Sequence, residues 1–186
     1  ISELIEYYKG IFTTLSSCAS RQLEEVTFRR ATISVPELMA TAGKYFRKVY
    51  KGNKAHIDFK IQPLEGRITG DWNQLRFLLE NLIDEACSVT LDGAVCLPAR
   101  EDGEFIRFLF TDMRREKTRE ELNQLFYPDL SRMTAGEKGE LYGTEYLVCK
   151  QIIRDHDEFA GRRGCRINAE PGKEGGFTIY FTLPKK

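Results

Sequence analysis

The stretch GTEYLVCKQIIRDH, residues 143–156, opens a helix on a glycine. Free backbone N–H groups and the positive end of the helix dipole make such a start a seat for an anion, a phosphate above all. Two residues beyond Gly143, however, Glu145 brings a carboxylate to the same place. A carboxylate about 4 Å from a bound phosphate charge costs roughly 4 kcal/mol at an effective dielectric near 20, a loss of about a thousandfold in affinity. Other groups fit for chemistry stand elsewhere. Asn81 and Glu85 lie one turn apart on one face of a helix, with Asp84 beside them. Asp112 closes the apolar strand FIRFLF, which suits either a rim ligand or a strand-ending turn. Arg114, Arg115, Lys117 and Lys138 offer cations near these acids.

These residues need elements to position them. The run DWNQLRFLLENLIDEACSVT predicts a helix capped by Asp71 and burying Leu75, Leu78, Leu79, Leu82, Ile83 and Ala86. Ser34, with Pro36 and Glu37 behind it, predicts a second helix to about Tyr50. HIDFKIQ, AVCLPA, FIRFLFTD, CRINAE and FTIYFTLP read as strands, with REDGE and PGKEGG as turns. A short helix is expected over 118–126 and a loop over 127–142. Helices and strands mix without strict βαβ alternation, so the expected fold is α+β: a mixed sheet with helices on one face. Ahead of it, residues 2–25 predict a long helix in which Leu4, Tyr8, Ile11, Leu15 and Cys18 step as a heptad seam. That seam implies a homodimer through residues 4–23, or else a helix folded back on its own domain. The expected division is 1–30 for the helix and 31–186 for the domain.

The bulk composition removes several classes. With 28 basic and 28 acidic residues in 186, the chain is neutral, and nothing favours nucleic acid or an anionic membrane surface. Five cysteines form no metal-binding pattern, and their odd number suits reduced thiols in a cytoplasmic setting. No apolar run reaches the roughly 18 residues of a membrane span. The chain opens at Ile1 without methionine, which suggests a fragment of a longer protein, with room upstream for a membrane anchor or sensor segment.

In order and spacing, the parts resemble the catalytic, ATP-binding domain of bacterial sensor histidine kinases, within the gyrase-type ATPase superfamily. The resemblance covers about 31–184. GDWNQLRFLLENLIDEACSVT is similar to the asparagine box, D-x-x-x-L-x-x-x-L-x-N-L-x-x-N-A. FTDMRRE stands where the first glycine box, D-x-G-x-G, ends a strand, and GTEYLVCKQII is similar to the second, G-x-G-L-x-x-x-K-x-I. INAEPGKEGGFTIYFTLP resembles the closing hairpin.

The resemblance implies an adenine anchor, a magnesium ligand and a glycine-lined phosphate cradle. Asp112 matches the carboxylate that accepts the adenine amino group; Asn81 matches the first asparagine-box position, a catalytic candidate. Glu85 stands where the magnesium-binding asparagine belongs, and a carboxylate can ligate Mg²⁺. Gly143 and Lys150 match the second glycine box. Arg114 and Glu116 replace glycines whose bareness admits a nucleotide, and Glu145 replaces another. The loop 127–142 matches the ATP lid, with Phe126 before it. Neither His56 nor His156 sits in a phosphoacceptor pattern, which implies that any acceptor lies upstream. Two readings follow: a degenerate, regulatory domain with weak or no ATP binding, or a kinase in which Glu85 binds Mg²⁺ and ATP is used. A protein-interaction module is a third. A response regulator is the implied partner.

Overall fold

The computed structural model describes residues 28–50, 57–89, 91–127 and 144–186, together with Ile5. The heptad helix apart from Ile5, the expected lid of 127–142 apart from Tyr127, and Gly143 lie outside the described residues.

Strand β1 (Ala31–Ser34) leads directly into helix α1 (Val35–Tyr50). The Ser34 hydroxyl accepts from the Glu37 amide at 3.4 Å, the cap the sequence predicts. Strands β2 (Ile57–Gln62) and β3 (Arg67–Gly70) follow, then helix α2 (Trp72–Cys87). Asp71 caps α2, its carboxylate accepting from Gln74 N at 3.1 Å. Strands β4 (Gly93–Asp102) and β5 (Phe105–Asp112) form a hairpin. A one-and-a-half-turn helix, α3 (Arg119–Gln124), has Thr118 and Glu121 as a reciprocal capping box. Helix α4 (Thr144–Phe159) and strands β6 (Ile167–Pro171) and β7 (Phe177–Pro184) complete the order.

The main sheet runs β2-β4-β5-β7-β6, parallel between β2 and β4 and antiparallel elsewhere. It is the mixed α+β sheet expected. The short strands β1 and β3 pair with each other, a ladder that sequence reading leaves unassigned. Four-residue runs such as ATIS and RITG carry too little alternation to register as strands; pairing makes them so. The chain terminus braces β3, with Lys186 N donating to Arg67 O at 2.9 Å.

Helix α2 packs between α1 and α4. Its buried face comprises Leu75, Leu78, Leu79, Leu82, Ile83 and Ala86, with Gln74 and Cys87 added. Facing it, β5 buries Ile106, Phe108 and Phe110, and β7 buries Phe177, Ile179, Phe181 and Leu183. Phe108 stacks on Phe181 with centroids 5.0 Å apart. Each such side chain is worth roughly 1.5–3 kcal/mol when taken from water. The period-two alternation of β5 then puts Asp112 next in the same buried row. A carboxylate thus ends the apolar row on the core side of the sheet.

Candidate functional site

Asp112 is fully buried, yet ionised neighbours surround it. Its Oδ1 accepts from the Arg114 backbone N at 3.0 Å and from Arg114 Nε at 2.9 Å. Its Oδ2 accepts from Arg114 Nη2 at 2.8 Å and from Arg115 Nε at 2.9 Å. A carboxylate has about four lone-pair positions, so Asp112 is saturated. Burial alone would raise its pKa, but the Arg114 hydrogen bonds and the charges of Arg115 and Arg114 outweigh that and hold it below the usual carboxylate range.

Arg114 is not a surface residue reaching inward; its side chain is 0% exposed. Its Nη2 also donates to Ala86 O at 2.6 Å, and Nη1 to Leu91 O at 3.0 Å and Val89 O at 3.3 Å. The guanidinium therefore satisfies one of the orphan carbonyls that end α2 while neutralising Asp112. Gly93 makes room for it: a Cβ there would lie 2.9 Å from Arg114 Cγ.

Arg115 links the strand to the helix. Its Nη1 and Nη2 donate to Glu85 Oε1 and Oε2 at 3.0 and 2.9 Å, a bidentate pair in which both side chains are 11% exposed. The same guanidinium lies 5.2 Å from the centroid of Phe177. Burial works against its charge, but the Glu85 hydrogen bonds and the carboxylates of Glu85 and Asp112 prevail and raise its pKa. Tyr146, in the first turn of α4, is buried with its hydroxyl beside Glu85. Burial and the nearby Glu85 charge push its phenol well above its ordinary value.

Glu116, which the resemblance sets at the remaining position of the first glycine box, is also built in. Glu116 Oε1 accepts from Gly176 N at 3.1 Å, tying the loop to the last turn. Gly176 has φ +70°, and a Cβ on it would run into the Asp112 carbonyl.

The structure thus brings Glu85 and Asp112 together, but through Arg115. Asn81 donates from Nδ2 to Phe77 O at 2.7 Å, back along its own helix. Asp84 does not join the cluster: its Oδ1 accepts from the hydroxyls of Tyr45 and Tyr50 at 2.7 and 2.6 Å. Burial and that carboxylate raise both phenols. Lys150 places Nζ 3.5 Å from the Tyr127 ring centroid, and Phe126 packs edge-on to Tyr146. Gly143 and the Glu145 side chain lie outside the described residues. Sequence reading registers Arg115 only as a nearby cation, and Arg114 as a cation in place of a glycine. Its available signal is the run Asp-Met-Arg-Arg itself, two arginines directly behind a strand-ending acid. Tyr146 it misses, although Tyr146, Cys149, Ile153 and His156 share a buried helical stripe.

No protein-family model matches the sequence, and no curated protein matches it significantly. Solved structures do. The nucleotide-free catalytic domain of histidine kinase ThkA aligns with 84% of this chain and 96% of its own, at 21% identity and a TM-score of 0.64. The fold is that of a histidine-kinase ATP-binding domain. The ATP-binding domain of PrrB from Mycobacterium tuberculosis agrees, at 18% identity and a TM-score of 0.61 over 85% of this chain and 98% of that one. ThkA in complex with the response regulator protein TrrA aligns with 96% of this chain and 49% of that one, at 20% identity and a TM-score of 0.66. Against this histidine-kinase fold, the Asp112 cluster occupies the end of β5 beside α2, where the resemblance calls for the first glycine box and the asparagine box.

Proposed function

We propose that this chain is a degenerate histidine-kinase ATP-binding domain, closed from within by its own arginines and serving signalling as a regulatory or scaffolding part. The saturation of Asp112 carries the reading. An adenine amino group would be a fifth donor to a carboxylate that already accepts four hydrogen bonds. Glu85 gives both oxygens to Arg115, so a magnesium ion would have to displace a buried bidentate pair. The residues present therefore do not fit ATP with its metal, and no phosphoryl transfer is derived for them.

On this reading the chain works through surfaces. The heptad seam over 4–23 supports a homodimer, and Ile11→Asp should yield monomers in solution. A response regulator is the natural partner class, since a similar fold in ThkA was solved with one. The expected setting is cytoplasmic; no helix among the described residues is long and apolar enough to cross a membrane.

Calorimetric titration of ATP and of a non-hydrolysable analogue with Mg²⁺ tests the reading. Silence at several millimolar is the expected result. Binding tighter than about 1 mM, some −4 kcal/mol, would overturn it.

A further inference from the structure

Away from the Asp112 cluster, α4 and the edge strand β6 enclose a cavity of about 290 Å³. Lys150 and Arg154, one turn apart on α4, meet Arg166 across it. Among the described residues, no carboxylate lines the cavity. The Cys165 thiol in its wall adds no negative charge, because burial and the nearby Asp157 push its pKa up to about 12.

Several other cations of the described surface are paired with a carboxylate. Arg76, Arg107, Arg162, Arg163 and Lys185 each have a carboxylate at 3.7, 2.9, 3.5, 3.2 and 3.1 Å respectively. Arg154 and Arg166 have none among the described residues, and Lys150 lies over the Tyr127 ring. Like charges gathered at a concavity without a counter-charge raise the local concentration of anions. Asn168 adds a neutral donor: its Oδ1 accepts from Ala169 N at 2.9 Å, which leaves the amide NH₂ for a ligand. The other walls are Ile153, Ile167 and Tyr180.

We propose that this cavity binds a small phosphorylated molecule with a flat or apolar body. Arg154 and Arg166 hold the phosphate, since guanidinium forks match its oxygens bidentately. Lys150 supplies a further positive charge, and the apolar wall takes the body. The volume sits at the lower end for small-molecule sites, so the ligand is no larger than a single ring with its phosphate.

The test uses the full chain, with phenyl phosphate as probe and two-dimensional NMR of backbone amides and arginine Nε–H groups as readout. Saturable shifts at residues 150–154 and 165–168, with Kd near or below about 1 mM, are expected. Inorganic phosphate, which lacks the body, should bind at least about tenfold more weakly. Arg154 and Arg166 are exposed, so the double variant R154Q/R166Q should fold. It should lose at least about tenfold in affinity, the worth of a charge-assisted hydrogen bond. R115A, in the other cluster, should leave the affinity unchanged. No saturation at 20 mM (about twentyfold weaker than expected), equal affinity in the double variant, or loss in R115A would each overturn the site. Equal affinity for inorganic phosphate would overturn the role of the apolar wall. Because R115A separates the two clusters, this site stands or falls apart from the closed nucleotide cleft.

Discussion

Arg114 and Arg115 hold the same carboxylate but differ in what else depends on them. Arg114 also binds three main-chain carbonyls at and just beyond the end of α2, and its side chain is wholly buried. Truncating one partner of a buried pair leaves an uncompensated charge, a loss of about 3–5 kcal/mol. Arg114→Ala should therefore destabilise by that amount in urea denaturation. Arg115→Ala, at 11% exposure, should cost less, and Arg107→Ala, in a surface pair with Asp102, at most about 1 kcal/mol. A reversed order would disprove the internal plug. The same cluster sets an acid limit. Because the folded pKa of Asp112 is depressed, its contribution is complete above the unfolded carboxylate value of about 4 and fades as pH falls through the lower folded value. The stability gap between the native chain and Asp112→Asn should thus be widest near pH 7 and narrow below about pH 4. Of this cluster, the sequence makes Asp112 and Glu85 legible through their place in two motifs. The pairing is not, because an arginine's destination depends on burial and on carbonyls such as Ala86 O, which no local pattern encodes.

Among the elements, legibility follows length and periodicity. Helix α2 lies where its cap and its apolar stripe put it, and α1 ends at the expected Tyr50. Strands β1 and β3 escape notice because each owes its existence to the other. The join between α2 and α4 is similarly hidden. His156 is buried on α4; its Nδ1 donates to Ile152 O at 2.8 Å, and its Nε2 accepts from Asp71 N at 3.0 Å, at the cap of α2. That pair of roles requires the neutral ring. Burial lowers its pKa despite the Ile152 carbonyl and the Asp71 charge. The unfolded chain then takes up a proton first, near pH 6.5, so stability is fullest above that value and declines as pH falls through it. His156→Gln should be less stable at pH 7.5 yet lose less between pH 7.5 and 5.5, about one unit to either side of the free imidazole value, as followed by thermal melts. A parallel decline in both proteins would assign the pH dependence elsewhere.

At the scale of the molecule, the question is how the segment ahead of the domain is coupled to it. Two tethers are visible. Arg29 N donates to Asp71 Oδ2 at 2.9 Å, and the Phe28 ring packs edge-on against His156 at 4.8 Å and beside Phe159 at 5.8 Å. Asp71 therefore serves three masters: the Gln74 amide it caps, the Arg29 amide it receives, and His156, which accepts from its own N–H. A displacement of the segment ahead of Phe28 would reach the α2–α4 junction through residues 28 and 29, and α2 carries Glu85 into the closed cluster. This gives the proposed regulatory role a physical route. It also makes a prediction about boundaries. A chain beginning at Phe28 should unfold in one cooperative transition with a midpoint close to that of the full domain. One beginning at Ala31 loses a hydrogen bond to a charged acceptor, worth about 1.5–3 kcal/mol, along with the Phe28 packing. Its midpoint in urea should fall accordingly, and the His156-dependent decline toward pH 5.5 should weaken as solvent reaches the ring. Equal midpoints for the two chains would mean that the entering segment is a passive lead, and the coupling route would be lost with it.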